Sequence, residues 1–354
     1  MEESKNILSL LDKLLQPVVC VKDNTVIQIN AAARQLFLQP GQDIRPLLGQ
    51  SAEEYEQYTG GCLYLSITVS GQAVPCCVQR VDGLDIFELD TGSDSTALRS
   101  LTLAAGELRK PLGTALTNAA SLLEELEDPD AKAQLAQLNR GLYRILRILG
   151  NMSDAEDCTA LPREETVNIP AVMAEIVERA AQMLAGAGME LHYEGIAEPV
   201  FALADRTNLE RAVLNIISNA VKFSPKGSCI RVSLSRTGRT LRLSVQDSGS
   251  GIADAVIGSL FRRYLRQPGI EDSRFGLGLG IRMVHSIARQ HGGTLLVSRG
   301  ENGGTRTVMT LAIRQPEQTM MRSPVFPIDY SGGFDHGLVE LADVLPAELY
   351  DGSY

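Results

Sequence analysis

No run of apolar residues in this sequence reaches the roughly 20 that a helix needs to span a bilayer. The opening stretch, MEESKNILSL, also lacks a basic-then-apolar leader pattern. A cytoplasmic protein without a membrane span is expected. Basic residues are outnumbered, 33 Lys and Arg against 43 Asp and Glu, for a net charge of -10. With no basic stripe to gather phosphates, nucleic acid is excluded as the main partner. The six cysteines, at 20, 62, 76, 77, 158 and 229, show neither C-x-x-C nor Cys/His ligand spacing. Reduced thiols, mostly buried as small apolar residues, are therefore expected, the alternative being that the adjacent Cys76 and Cys77 sense oxidants.

What is present describes an ordinary globular chain: 354 residues, 44% hydrophobic and 21% charged, long enough for two or three domains. Residues 17–29, PVVCVKDNTVIQI, read as two short strands around Asp-Asn turn chemistry, followed by a helical NAAARQLFL. Three further β-rich runs, at 62–69, 73–80 and 84–89, suggest an α+β domain over residues 1–90. The stretch PVVCVKDNTVIQINAAARQLF resembles a PAS sensor domain.

After the polar break TGSDST at 91–96, Leu98, Leu101, Ala105, Leu108, Leu112, Ala115, Ala119 and Leu122 alternate spacings of three and four. Beyond the EDPD turn, Leu135, Leu138, Leu142, Ile145, Leu149 and Met152 repeat the pattern. Helices over 97–126 and 131–156 are expected, in a hairpin domain over 95–157. Two helices bury too little of two such seams, so pairing of two hairpins into a four-helix bundle is expected, with a coiled-coil spacer as the alternative. One residue fits this helix poorly. Gly106 stands mid-helix in AAGELRKPLG, where glycine costs about 1 kcal/mol relative to alanine.

In NLERAVLNIISNAVKF, residues 208–223, Asn215, Asn219 and Lys222 share one narrow stripe opposite Leu209, Val213, Ile216, Ile217 and Ala220. Two amide oxygens suit a hard cation and the ammonium suits phosphate, although a solvated helix face has the same composition. The strand LRLSVQDSGSGI then delivers Asp247, Gly249 and Gly251. The aspartate can accept from an exocyclic amine, and the glycines let backbone approach a flat base. In RFGLGLGIRMVHSIARQHGG, Gly276, Gly278 and Gly280 open a helix whose free N–H groups can cradle phosphates. A glycine turn, GGTRTVMTLAI, feeds a last strand.

This ordered set resembles the catalytic domain of sensor histidine kinases of the GHKL ATPase superfamily. Asn215, Asn219 and Lys222 match its N box, Asp247, Gly249 and Gly251 its G1 box, and Phe261 its F box. Gly276, Gly278 and Gly280 match the G2 box, and Gly304 with Thr305 the closing turn. The resemblance implies an α/β sandwich over 160–315 that binds ATP with Mg²⁺. It places Asp247 on the adenine amino group, Asn215 and Asn219 near the metal, and a lid over 252–275. The hairpin similarly resembles the dimerisation and phosphotransfer domain of those kinases. There the family has His-Glu-x-x-Thr/Asn-Pro, and this chain has Gly106-Glu107-Leu108-Arg109-Lys110-Pro111. The acceptor histidine is replaced by Gly106, Glu107 keeps the place of the base, and Lys110 replaces the residue that positions water. His192, His285, His291 and His336 all lack the Glu-x-x-x-Pro context.

The fold class implied is α+β multidomain, from a PAS-like domain through a dimeric helical bundle to the GHKL sandwich. The expected partners are a second copy or a similar kinase carrying the acceptor histidine, and a response regulator. A signalling pseudokinase is the alternative function. Residues 316–354 carry seven acidic residues and one arginine around Pro and Gly clusters. Such a tail is expected to be disordered, or to order as a docking peptide on a partner.

Overall fold

A computed structural model describes residues 16–36, 38–81, 83–91, 95–154, 164–251, 279–301, 303–315 and 331–351. Strands β1 (Val18–Lys22) and β2 (Thr25–Ile29) are joined by Asp23 and Asn24, whose φ of 48° and 64° is a turn conformation that short polar side chains tolerate. Asn30 then caps α1 (Ala31–Arg34), its side chain accepting from the Ala33 N–H. Short helices α2 (Arg45–Leu48) and α3 (Ala52–Glu56) lead to the antiparallel strands β3 (Cys62–Val69), β4 (Gln72–Val81) and β5 (Leu84–Leu89).

The hairpin follows as α4 (Ser95–Glu125) and α5 (Pro129–Asp154). Its apolar residues divide between two faces. Ala105, Leu112, Leu116, Ala119 and Leu123 of α4 are buried, as are Ala136, Tyr143, Leu146 and Leu149 of α5, whereas Leu108 and Leu138 are each 55% exposed and Leu122 and Ile145 about half exposed. The regular seam read from spacing therefore splits in the fold. Part of it closes the hairpin, and part stays on an open apolar face.

The remaining elements are β6 (Glu165–Asn168), α6 (Ile169–Ala185), β7 (Glu190–Glu194), β8 (Phe201–Ala204) and α7 (Arg206–Phe223). Strands β9 (Cys229–Thr237) and β10 (Thr240–Gln246), helix α8 (Leu279–Gln290), and strands β11 (Leu295–Arg299) and β12 (Thr305–Ala312) complete this part. Strands β6 and β8 form a small separate pair. The others join one ten-stranded sheet in the order β2-β1-β5-β4-β3-β11-β12-β10-β9-β7.

That order carries an unexpected connection. Strands β1–β5 and the later α/β part are not separate sheets, because β3 pairs with β11, Tyr64 opposite Leu295 and Cys62 opposite Val297. In the run CLYLSITV the two faces of β3 serve two cores. Leu63, Leu65 and Ile67 pack with Val19 and Phe87, while Cys62 and Tyr64 join the larger core containing Leu295, Val297 and Met309. Gly61 makes the approach feasible. With φ of 93°, a β-carbon there would lie 2.4 Å from the Val297 carbonyl oxygen.

Two expectations need correction. Cys62 and Cys77 form a disulfide, with Cα atoms 6.4 Å apart. Cys77 lies opposite Tyr64 in the β3–β4 register, which makes it the diagonal, same-face neighbour of Cys62. Cys20 and Cys76 are free and buried, Cys229 is free, and Cys158 lies outside the described residues. The second correction concerns the tail, of which residues 331–351 are folded rather than disordered; residues 316–330 lie outside the described set. Helix α9 (His336–Glu340) is capped by Asp335, and Leu338, Val339, Leu341, Ala342, Leu345 and Tyr350 enter the larger core. Their burial, at about 1.5–3 kcal/mol for each large side chain, offsets the ordering cost of a short polar segment.

Helix α8 leans on β3 through His285, whose ring lies 5.7 Å from that of Tyr64. Burial, reinforced by Arg289 and Arg282, depresses the His285 pKa to about 3. The folded state therefore keeps this imidazole neutral, a contribution fully present above the unfolded pKa near 6.5 and lost as pH falls towards 3. Urea melts between pH 7 and 5 should show stability falling more steeply in the parent than in His285→Phe, by roughly 1 kcal/mol per pH unit below 6.5. Equal slopes would show that His285 is not the group that resists protonation.

Candidate functional site

Helix α7 begins at Asp205, whose side chain accepts from the Asn208 N–H at 3.1 Å. Its backbone N–H in turn donates to His291 Nε2 at 3.0 Å. His291 Nδ1 lies 2.7 Å from the Ile287 carbonyl, so the imidazole bridges the end of α8 to the start of α7. One face of α7 is core, with Leu209, Ala212, Val213, Ile216, Ile217 and Ala220 buried. The opposite stripe is polar yet also largely covered: Arg211, Asn215 and Ser218 are each 1% exposed. The helix face is therefore not wholly solvated, although Asn219 and Lys222 on it are only half-buried.

Along that stripe Asn219 Nδ2 donates to Asn215 Oδ1 at 3.3 Å. Gly280, in the first turn of α8, packs directly on the same amide. A β-carbon there would sit 2.6 Å from Asn215 Oδ1, so any larger residue would have to displace the Asn215 side chain. Lys222 is half-buried near the helix end. Its pKa is lowered chiefly by desolvation, with repulsion from Arg147 and Arg144 added and attraction from Asp343 opposing.

Asp247 follows β10 and is buried. Its Oδ1 accepts from the Gly249 N–H at 2.8 Å and the Thr305 N–H at 3.0 Å, and neither bond falls on Oδ2. Burial raises the pKa of this carboxyl, and the hydrogen bonds from Thr305 and Gly249 partly offset the rise. The nearby glycines have packing roles. A β-carbon on Gly249 would meet the Phe223 carbonyl oxygen at 2.2 Å, and one on Gly304 the Asp247 carbonyl oxygen at 2.1 Å. Gly251 has φ of 74°. Four elements, α7, β10, α8 and β12, thus converge through glycine contacts on Asn215 and Asp247.

Phe261, Gly276 and Gly278 lie outside the described residues. On the hairpin, Gly106 and Glu107 are exposed, and a β-carbon on Gly106 would meet nothing within 4 Å. The open space means no packing demand explains a glycine there.

Residues 204–315 match the family described as histidine kinase-, DNA gyrase B-, and HSP90-like ATPase. Residues 204–315 thus carry a domain of that ATPase family. It is 28% identical over 219 residues to the sensor protein KdpD of Clostridium acetobutylicum, covering 59% of this chain and 24% of that one. It is 29% identical over 213 residues to the sensor-like histidine kinase SenX3 of Mycobacterium tuberculosis, covering 58% and 51% respectively. The chain thus spans about half or less of the length of these curated relatives. Among solved structures, full-length ShkA in complex with AMPPNP is similar at 22% identity and a TM-score of 0.49, over 62% of this chain and 46% of that one. No helix among the described residues of this chain is long and apolar enough to cross a membrane.

Several residues at the site were not singled out from sequence. Arg211 stands one turn before Asn215 on the same stripe, and its guanidinium Nε donates to Glu340 Oε1 at 3.1 Å. Asn215 Nδ2 reaches Glu340 Oε2 at 3.4 Å, and Lys222 Nζ lies 3.6 Å from Asp343 Oδ2. A signal for this contact is present in the sequence: the cations Arg140, Arg144 and Arg147 recur on one side of α5, complementary to the acidic LVELADVL.

Asp247→Asn keeps an oxygen for Gly249 and Thr305 but turns the other acceptor into a donor. The fold should be retained and ATP affinity should drop about 10- to 100-fold, the equivalent of roughly 1–3 kcal/mol. Calorimetry showing parental affinity in this variant would remove Asp247 from base recognition.

Proposed function

We propose that this protein binds ATP with Mg²⁺ and acts in two-component signalling as a histidine kinase that phosphorylates a histidine on a partner rather than its own hairpin. The observation that carries this reading is the packing of Gly280 on Asn215. It brings the opening turn of a glycine-led helix against the α7 stripe. In that arrangement Asn215 and Asn219 offer amide oxygens to Mg²⁺, and Lys222 with the first N–H groups of α8 faces the phosphates. Asp247 accepts from the adenine amino group. Bound metal would supply neutralisation of phosphate charge, and the protein supplies position and exclusion of water.

Gly106 has no nucleophile, whereas Glu107 beside it is retained at the place of the base. A partner kinase with a complete His-Glu motif would provide the missing acceptor, and a response regulator would receive the phosphoryl group. The open face carrying Leu108, Leu122, Leu138 and Ile145 suits pairing of two hairpins, of this chain or of a related one, because contact would bury apolar surface at roughly 25 cal/mol per Å². Leu108→Glu combined with Leu138→Glu should convert a sedimenting dimer to monomer with little loss of folded stability, since both positions are already wet. A parent that sediments as a monomer at micromolar concentration would contradict this.

A second reading is favoured by the carboxylates that lie on the α7 stripe: a pseudokinase whose nucleotide-dependent shape regulates a partner without transfer. The two readings separate in a labelling experiment. With the site saturated by γ-labelled ATP, the parent should gain no acid-labile label, and Gly106→His should gain it at a substantial fraction of a phosphoryl group per chain. Histidine costs a helix a few tenths of a kcal/mol less than glycine, so the substitution should not disturb α4. A labelled parent would reveal another acceptor. A folded, nucleotide-bound and unlabelled Gly106→His variant would establish the pseudokinase reading, because the reacting atom would be present without near-attack geometry.

A further inference from the structure

The folded end of the chain places two carboxylates on the residues that the proposed function gives to metal and phosphates. Glu340 is 0% exposed. Its Oε1 accepts from Arg211 Nε at 3.1 Å, and its Oε2 from Arg147 Nε at 3.3 Å and Asn215 Nδ2 at 3.4 Å. One turn on, Asp343 Oδ2 accepts from Arg147 Nη1 at 3.0 Å and lies 3.6 Å from Lys222 Nζ, while Oδ1 accepts from Arg144 Nε at 2.8 Å. Four cations and one amide therefore converge on two carboxylates. Guanidinium, ammonium and amide donors that hold carboxylates in this way hold phosphate oxygens by the same chemistry.

We infer that residues 335–350 are a built-in competitor of Mg²⁺-nucleotide, with Glu340 and Asp343 standing on the α7 stripe in place of phosphate oxygens. This rests on the nucleotide reading of that stripe. While Glu340 holds Asn215 Nδ2 and Asp343 stands beside the Lys222 ammonium, neither donor is turned to a triphosphate. Phosphates placed beside two retained carboxylates would also meet like charge in a poorly solvated site. An exchange of anions avoids both problems. As Glu340 and Asp343 withdraw, Arg211, Arg147 and Lys222 would pass to the incoming phosphates, leaving no buried cation uncompensated.

The segment is held to α6 and α7 through Asp335 with Arg179 and His336 with Glu210, and to the hairpin along its remaining length. Arg140 Nε donates to the Ala342 carbonyl at 3.1 Å and Asn139 Nδ2 to the Tyr350 carbonyl at 3.0 Å, and the Tyr143 and Tyr350 rings lie 5.1 Å apart. The tail can therefore be loosened from the hairpin side without touching α7. Because Arg147 belongs to α5, the same exchange alters what holds the hairpin to the nucleotide-binding part, so occupancy and hairpin position are coupled reciprocally.

The test uses the full chain and Mg²⁺-AMPPNP as probe. Calorimetry on the parent, Asp343→Asn and Arg140→Ala should show both variants binding at least fivefold more tightly than the parent. Arg140 lies outside the α7 stripe, so a gain there reports release of the tail rather than a rebuilt site. Hydrogen exchange on the parent keeps the test independent of any variant's folding: saturation with probe should speed exchange of the 338–345 amides at least tenfold. Equal affinities in all three proteins, or bound probe with unchanged protection of 338–345, would overturn the competition while leaving nucleotide binding intact. Failure of every folded protein to bind the probe would instead overturn the nucleotide reading, and the competition with it.

Discussion

A carboxylate with no solvent access, held between two arginines from different parts of the chain, is the constraint on which this arrangement depends. Glu340 joins Arg147 of the hairpin to Arg211 of α7. Desolvating these charges is expensive, and the contacts reverse that cost only while all members stay in place; deleting one partner of such a buried pair typically costs 3–5 kcal/mol. Asp343 extends the network towards solvent. Burial alone would push its carboxyl up, but Arg147, Lys222 and Arg144 together hold it below the usual carboxylate range. Desolvation moves the Lys222 pKa down, and repulsion from Arg147 and Arg144 adds to this against the attraction of Asp343. The tail, the hairpin and α7 are consequently one electrostatic unit.

A second connection runs through the sheet. Pairing of β3 with β11 places strands β1–β5 beside the strand that follows α8. The contact is fastened twice from α8 itself, by His285 against Tyr64 and by Arg282 Nη2 to Asp90 Oδ2 at 2.7 Å. The first turn of the same helix carries Gly280 against Asn215. Helix α8 therefore touches both β3, through Tyr64, and the polar stripe, through Gly280. The strand hydrogen bonds leave little freedom for sliding, because a one-residue slip would turn every side chain of β3 to the wrong face.

The hairpin shows why a regular apolar spacing is an incomplete guide. Leu108, Leu138 and Ile145 follow the alternation of threes and fours, yet they lie on an open face, while Leu116, Tyr143 and Leu146 are covered. A helix with apolar residues on two sides satisfies one spacing rule while presenting two surfaces. Which surface closes first depends on what else the chain supplies, and here α5 receives the folded tail along Asn139, Tyr143 and Arg147.

The sequence by itself determined the local elements and the chemistry strung along them. Period-two runs became strands, the seams became α4 and α5, and the stripe of Asn215, Asn219 and Lys222 stands on one helix, because these patterns depend on neighbours within a few residues. Tertiary structure alone decided the rest. Cys62 meets Cys77 through a strand register, β3 meets β11 across more than 200 residues of chain, and LVELADVL is ordered because α5 and α7 present guanidinium groups to its carboxylates. An acidic segment read alone has only the cost of ordering and the repulsion of its charges, which predicts disorder. The cations that reverse that balance come from positions near 147 and 211, and no local pattern around residue 340 records them.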